Sequence, residues 1–164
     1  MGSGKSSLGQ RLASELGWDF VDMDCLVEQR CGMAVAEIFA TRGEEYFRAM
    51  EREVLGELTR RSDTVVATGG GVPTRSDNME VMNSAGLTVY LRLSPGRLVR
   101  RLENGRDKRP LIQGMDDARL LEYIERTLPG REPFYRMAKL TIDCDGAGDR
   151  YLIDHIKNCL DHTK

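Results

Sequence analysis

Apolar residues recur along this chain with two different spacings, and the spacings predict two kinds of element. A 3.6-residue spacing places apolar side chains on one face of a helix, whereas short apolar runs that end in acidic residues or glycine are typical of buried strands. Helices are predicted over residues 5–16, 25–30, 35–41, 44–61, 77–86, 95–102, 116–128 and 151–160, and strands over 20–22, 64–68, 88–93 and 140–143. Strands and helices therefore alternate, which is typical of a parallel sheet with helices on both faces.

Two local signals mark helix boundaries. Gly43 interrupts the helical pattern and separates the predicted helix 35–41 from the helix 44–61. Asp77 and Glu80 have the spacing of a capping box, in which the first side chain bonds a backbone N–H of the first helical turn.

Polar residues or glycines follow three of the four predicted strands. Asp22 and Asp24 follow the first strand, Gly69–Gly71 follow the second, and Asp143 ends the last. Ligands of parallel α/β sheets bind beyond the carboxyl ends of the strands. The pattern therefore predicts a binding site at this edge of the sheet.

The composition is that of an ordinary globular protein and excludes several classes. Of the 164 residues, 40% are hydrophobic and 30% are charged, and the formal net charge is −2. The length predicts a single domain, residues 1–164. No apolar run approaches the roughly 20 residues of a membrane span, and the charge gives no reason to expect a nucleic-acid or membrane partner. None of the four cysteines forms a C-x-x-C pair, so we expect free thiols in a reducing cytoplasm rather than a zinc site.

The segment Gly2–Ser6 carries the second half of the phosphate-binding motif G-x-x-x-x-G-K-[ST]. In such a loop the backbone N–H groups and a helix N-terminus surround phosphate oxygens, and glycine lets the backbone come close. Lys5 would reach the β- and γ-phosphates, and Ser6 would ligate Mg²⁺. The first glycine of the motif is missing, so the segment alone is also compatible with a chance match or a linker.

The residues after the first two strands each have two interpretations. Taken alone, Asp22 and Asp24 are solvated turn carboxylates. Beside a phosphate loop, one would hold the water shell of the metal and the other could accept a proton from a substrate hydroxyl. Gly69–Gly71 is either a flexible turn or a place where backbone N–H groups hold a hydroxyl or carboxylate.

Two arginines have an ordinary structural explanation. Arg48 has the helical spacing for ion pairs with Glu44 or Glu51, each worth only a few tenths of a kcal/mol. Arg131 lies in the segment GREPFYR and, taken by itself, is interpreted as a charged surface residue.

A basic loop with glycines near both ends is predicted over residues 104–115. It contains Arg106, Lys108 and Arg109 before Pro110. Such a loop suits a lid over phosphates, but a solvated charged loop has the same composition.

Taken in order, these motifs resemble those of shikimate kinases, which are small P-loop kinases of aromatic amino-acid biosynthesis. The matching segments span nearly the whole chain: GSGKS, FVDMD, EIFATRGEEYFRAME, VVATGGG, KRPLI and REPFYR. The resemblance implies a three-layer α/β/α P-loop kinase fold with a parallel sheet. It implies ATP-dependent phosphorylation of the 3-hydroxyl of shikimate to shikimate 3-phosphate, on the route to chorismate, with Mg²⁺ as cofactor. We expect a monomer whose partners are shikimate and ATP.

The resemblance also assigns roles to the residues that match family motifs. Its ATP-binding residues are Gly2, Ser3, Gly4, Lys5, Ser6, Ser7, Arg101 and Arg109. Its shikimate-binding residues are Asp24, Phe39, Phe47, Arg48, Gly69, Gly70, Gly71 and Arg131. Mg²⁺ would be held by Ser6 and, through water, by Asp22. Lys5, Asp24 as base and Arg109 as the lid arginine would carry the chemistry, while Arg48 and Arg131 would grip the shikimate carboxylate.

The chain departs from the family pattern in two places. The segment DCDGAGDR, after the last strand, lacks the Arg and Pro expected near adenine. Met1 falls on an internal methionine of the family loop. We therefore expect that the first, central strand of the sheet is missing from this chain, which would be truncated or mis-started.

Two alternatives remain open, and the second is the one that these departures favour. One is another small P-loop kinase, of the gluconate or nucleoside-monophosphate type, although the G-E-x-x-F-R-x-x-E and G-G-G segments argue against it. The other is a truncated, catalytically impaired P-loop domain that still binds shikimate.

Overall fold

The structure is a computed structural model that describes residues 2–75, 77–103, 112 and 114–162. The described residues form two compact units. The first unit comprises residues 5–86, and the second comprises residues 2–4 together with the described residues from 87 onward.

The first unit contains a pair of parallel strands covered by helices. Its elements are α1 (Lys5–Leu16), β1 (Asp19–Asp22), α2 (Met23–Cys31), α3 (Val35–Leu58), β2 (Thr64–Ala67), a 3-10 turn (Val72–Thr74) and α4 (Asn78–Ala85). Strands β1 and β2 pair in parallel, with Asp22 opposite Ala67 at their carboxyl ends. The segments that follow the two strands therefore leave the sheet side by side, as the sequence predicts.

The core of the first unit forms where α2 and α3 pack together. The apolar positions of α2 lie one turn apart, at Met23 and Val27, and both side chains are fully buried against Ile38 and Val54 of α3. Burying a side chain of this size contributes roughly 1.5–3 kcal/mol. This packing fixes the position of α3, which carries Arg48.

Helix α3 is broken at Gly43, where the backbone has φ 83° and ψ 169°. A side chain is strained at this positive φ, so glycine is the residue that suits the break. The predicted separation of the two helical segments is confirmed. The ring of Phe39, before the break, lies 4.9 Å from that of Phe47, after it.

The second unit also contains two parallel strands. Its elements are β3 (Val89–Arg92), α5 (Pro95–Leu102), α6 (Asp117–Tyr135), β4 (Leu140–Asp143) and α7 (Asp149–Asp161). Strands β3 and β4 pair in parallel, with Val89 opposite Leu140. Across the residues that the structure describes, no helix has the length and apolar character to cross a membrane.

One predicted helix end and one predicted capping bond are wrong. Helix α6 does not end at Leu128 but continues to Tyr135 through Pro129 and Pro133. Asp77 precedes α4 without a side-chain capping bond, because its carboxylate pairs with Arg52 at 2.9 Å instead. Most of the predicted lid loop, 104–115, lies outside the described residues.

Candidate active site

The loop before α1 belongs to the second unit and is shaped by an arginine. Gly2 and Gly4 have positive φ values of 70° and 83°. Nη1 of Arg101 donates to the backbone oxygen of Ser3 at 2.7 Å. A Cβ on Gly4 would lie 2.6 Å from that Nη1. The loop therefore requires glycine at residue 4 both for its backbone conformation and for the arginine that lies on it.

In the first unit, the start of α1 and the end of β1 are joined by a short hydrogen bond. Oγ of Ser6 donates to Oδ2 of Asp22 at 2.6 Å. The other oxygen of Asp22 accepts from the backbone N–H of Asp24 at 3.1 Å and caps α2. Asp22 is therefore not a solvated turn carboxylate, because both of its oxygens have protein partners.

Ser6 and Asp22 provide oxygen atoms alone, which is the donor chemistry that Mg²⁺ prefers. Mg²⁺ usually keeps several waters and takes one or two protein oxygens beside substrate phosphates. These residues fit Mg²⁺ held with a nucleotide better than a metal held by protein alone.

Asp24 lies in the first turn of α2 and is partly buried. Burial raises its pKa above the usual aspartate value, the positive charge of Lys5 acts in the opposite direction, and the charges of Asp22 and Glu28 raise it further. A general base is most effective when its pKa lies near the working pH. A raised pKa therefore suits Asp24 to accept a proton.

Arg48 is held by two glutamates of its own helix. Nη1 donates to Oε2 of Glu51 at 2.7 Å, while Nε and Nη2 donate to Oε1 of Glu44 at 3.2 and 3.1 Å. The guanidinium also lies over the rings of Phe39 and Phe47, at 5.9 and 5.4 Å from their centroids. Both ion pairs that the sequence allows are thus present, and two aromatic rings lie beside the guanidinium.

Glu51, which the sequence predicts only as an ion-pair partner of Arg48, is a buried carboxylate. Its exposed fraction is 2%. Burial raises its pKa in spite of the hydrogen bond from Arg48, and the charge of Asp24 raises it further. A signal was available in the sequence, because residue 51 has the same helical spacing as the core residues Phe47, Val54 and Leu58.

The glycines after β2 make room for the charged groups. A Cβ on Gly69 would lie 2.7 Å from Oδ1 of Asp24 and 3.1 Å from Oε1 of Glu51. A Cβ on Gly71 would lie 2.9 Å from Cζ of Arg48. The two carboxylates and the arginine therefore converge on this segment of backbone, which includes Gly70. A flexible turn does not account for such close packing.

The structure also places the other predicted residues. Ser7 is exposed on α1. Arg131 lies on α6, where its side chain hydrogen-bonds Tyr135, whose pKa is raised by burial. Arg109 lies outside the described residues. Asp143 has structural partners, because its carboxylate accepts from the backbone N–H of Asp145 at 3.0 Å and pairs with Arg92 at 3.3 Å.

Comparisons with known proteins agree on one family. The shikimate kinase family model matches residues 1–161. A shikimate kinase of Bacteroides fragilis is 43% identical over 154 residues, which cover 94% of this chain and 86% of the relative. The crystal structure of shikimate kinase from Bacteroides thetaiotaomicron has a TM-score of 0.87 at 41% identity, covering 94% of this chain and 88% of that chain. Shikimate kinase from Acinetobacter baumannii, in complex with shikimate, has a TM-score of 0.86 at 34% identity, covering 100% of this chain and 90% of that chain.

These matches confirm the predicted α/β fold of the P-loop kinase type. They favour neither of the two alternatives, a kinase of the gluconate or nucleoside-monophosphate type and a catalytically impaired domain.

Proposed function

The chain belongs to the shikimate kinase family, and from that premise we propose that it transfers the γ-phosphoryl group of ATP to the 3-hydroxyl of shikimate. The product is shikimate 3-phosphate, an intermediate on the route to chorismate and the aromatic amino acids. One set of contacts in the first unit supports this proposal. Ser6 of the phosphate loop donates to Asp22. Asp24 and Glu51, the carboxylate that bonds Arg48, both lie close to the backbone of Gly69.

Lys5 and the start of α1 are the groups proposed to bind the phosphates of ATP. Phosphoryl transfer depends on positioning and charge neutralisation more than on covalent chemistry by the protein. When bound, Mg²⁺ would supply further neutralisation, and Ser6 and Asp22, the latter through water, are the residues that would hold it. The support is the oxygen-only donor set and the 2.6 Å contact between Ser6 and Asp22.

Asp24 is proposed to accept the proton that leaves the attacking hydroxyl of shikimate. The oxygen of that hydroxyl forms the new bond to phosphorus, and the bond between the γ-phosphorus and the bridging oxygen of ATP breaks. The raised pKa of Asp24 supports this role. The positive charge of Lys5 counteracts the effect of burial and favours the ionised form that a base needs.

The shikimate carboxylate is proposed to bind to Arg48 and Arg131. A planar guanidinium presents two parallel N–H groups to a carboxylate, and that of Arg48 lies over two aromatic rings. Backbone N–H groups of the segment Gly69–Gly71 would bind the ring substituents, with Phe39 and Phe47 beside the ring. Arg109 as a lid residue and Arg101 near the nucleotide remain proposals that follow from the family motifs.

The remaining expectations concern the whole molecule. We propose a monomer with a single catalytic domain over residues 1–164 and a lid over 104–115. A cytoplasmic location is also proposed, and it is supported by the four cysteines, none of which forms a disulfide bond in the part of the chain that the structure describes.

The proposed function is tested by incubating the purified chain with Mg²⁺, ATP and shikimate. We expect ADP and shikimate 3-phosphate in equal amounts, detected by ³¹P NMR and a coupled ADP assay. Gluconate and nucleoside monophosphates in place of shikimate form the control panel. Calorimetric binding of shikimate without turnover would indicate the impaired domain, and turnover of another acceptor alone would refute the proposal.

A further inference from the structure

Every side-chain nitrogen of Arg48 donates to a carboxylate of the protein. Nη1 donates to Glu51, and the edge formed by Nε and Nη2 donates to Oε1 of Glu44. The guanidinium has five N–H groups, and Glu44 occupies both donors of the edge formed by Nε and Nη2. A substrate carboxylate that binds this edge through two parallel N–H groups must therefore displace Glu44.

The two glutamates differ in how easily they can leave. The side chain of Glu51 is 3% exposed, so its displacement would leave a buried carboxylate without its partner. The side chain of Glu44 is 52% exposed and can exchange Arg48 for water. The edge that Glu44 occupies is therefore the edge that an incoming carboxylate can take.

Arg75 offers Glu44 a second partner. Its Nη2 donates to the same oxygen, Oε1 of Glu44, at 2.8 Å, and Arg75 is 53% exposed. The bonds from the two arginines hold the pKa of Glu44 below its usual value, with Arg48 the larger cause. Glu44 therefore stays ionised and keeps an ion pair with Arg75 after it releases Arg48.

We propose that Glu44 competes with the substrate carboxylate for Arg48. Arg75 weakens this competition, because it keeps its ion pair with Glu44 after Glu44 has released Arg48. The inference rests on the proposed function, because it requires that Arg48 bind the carboxylate of shikimate. It assigns Glu44 and Arg75 to substrate affinity and discrimination, although neither would touch the reacting atoms.

The test compares Glu44→Gln with Glu45→Gln, which removes the same charge from the adjacent exposed position. Binding of shikimate and of its neutral methyl ester is measured by calorimetry without ATP. An exposed ion pair contributes about 0.2–1 kcal/mol, so Glu44→Gln should tighten shikimate binding about 1.4- to 5-fold, by a tenfold change per about 1.4 kcal/mol. The same variant should leave methyl ester binding unchanged, and the Glu45→Gln variant should change shikimate binding by less.

Arg75→Gln and the double variant complete the test. Arg75→Gln should weaken shikimate binding, and this effect should shrink when Glu44 is already Gln, because the two residues act through one another. In kinetics, the change should appear in KM for shikimate and not in KM for ATP.

Three results would overturn the inference: weaker shikimate binding in Glu44→Gln, equal tightening of the methyl ester, or an Arg75→Gln effect of the same size in both backgrounds. A wild-type chain that neither binds nor phosphorylates shikimate would instead refute the proposed function, and the inference with it.

Discussion

Replacing Glu51 by Gln tests whether the buried carboxylate sets the affinity for substrate through Arg48. The substitution keeps the shape of the side chain and an oxygen that can accept from Nη1 of Arg48. It removes the negative charge from a bond of 2.7 Å. The expected result is a looser guanidinium and therefore weaker binding of the shikimate carboxylate.

The magnitude follows from the kind of hydrogen bond that is lost. A bond to a charged group contributes about 1.5–3 kcal/mol and a neutral bond about 0.5–1.5 kcal/mol. Because the guanidinium keeps its charge in the variant, the difference of about 1–1.5 kcal/mol is the largest loss that we expect. If the whole difference appears in binding, KM for shikimate rises about 5- to 12-fold at neutral pH. KM for ATP should change less than about twofold, because the lost contact does not involve Lys5.

The same variant should gain stability, relative to the wild type, as the pH rises. Burial holds the pKa of Glu51 above its ordinary value of 4.5. Above that pH the native protein binds more protons than the unfolded chain, so the contribution of Glu51 to the free energy of unfolding falls as the pH rises towards its folded pKa. Gln does not ionise, so the free energy of unfolding of the variant does not contain this decrease. The difference in KM between the variant and the wild type should also vanish at acid pH, where Glu51 is protonated in the wild type.

The assay is steady-state kinetics together with thermal unfolding over about pH 4–8. The control is Glu53→Gln on the same helix, because Glu53 is 63% exposed and pairs with Arg30 at 3.4 Å. The control should change neither quantity beyond the small effect of an exposed pair. A wild-type KM for Glu51→Gln at neutral pH, or a relative stability that falls as the pH rises, would refute the reasoning.

Three further substitutions test other parts of the site. Lys5→Met should abolish turnover while calorimetry still detects shikimate binding, and unchanged phosphorylation would refute the phosphate-loop assignment. Asp24→Asn should lower kcat by about 10²- to 10⁴-fold, the usual contribution of a general base, and a loss below about tenfold would remove that role. Gly71→Ala should raise KM for shikimate by about tenfold or more, because the added Cβ would lie 2.9 Å from Cζ of Arg48 and the loss of one charged hydrogen bond has that effect. The matched control is Gly56→Ala, which adds a Cβ to open space on α3 and should stabilise the helix by about 0.5–1 kcal/mol. Equal KM values for shikimate in the two variants would contradict the predicted clash at Gly71.

The sequence correctly predicted those elements whose first and last residues are determined by residues adjacent in the sequence. Helix α1, the break at Gly43 and the start of α5 at Pro95 are set by local chemistry and were found correctly. Helix α6 was predicted to end at Leu128, whereas it continues through Pro129 and Pro133, although proline usually ends or kinks a helix. At the end of α6 the ring of Tyr135 lies 5.2 Å from that of Tyr90, a contact between residues distant in sequence that local signals do not reveal.

In the candidate site, too, the residues marked by local sequence signals were predicted, and those that depend on contacts between distant residues were not. Asp22 and Asp24 were found because a strand end followed by acidic residues is a local signal. Glu51 was missed as a site residue, because its role depends on Asp24 and on the backbone of Gly69, which are brought to it by the pairing of β1 and β2. A charged residue at a core position of an amphipathic helix is the pattern that would have found it.

The break at Gly43 also determines how the longest helix can form during folding. It leaves eight residues of α3 before it and fifteen after it, and helix nucleation is unfavourable enough that segments below about 12–15 residues are marginal in water. The segment 35–42 therefore cannot grow from the longer one, and it becomes helical when Ile38, which is fully buried, packs into the core. We therefore expect the backbone amide hydrogens of this segment to exchange with solvent when the core opens, and not by fraying of a helix end. The aromatic ring that Phe39 places beside Arg48 accordingly takes its position when the core forms.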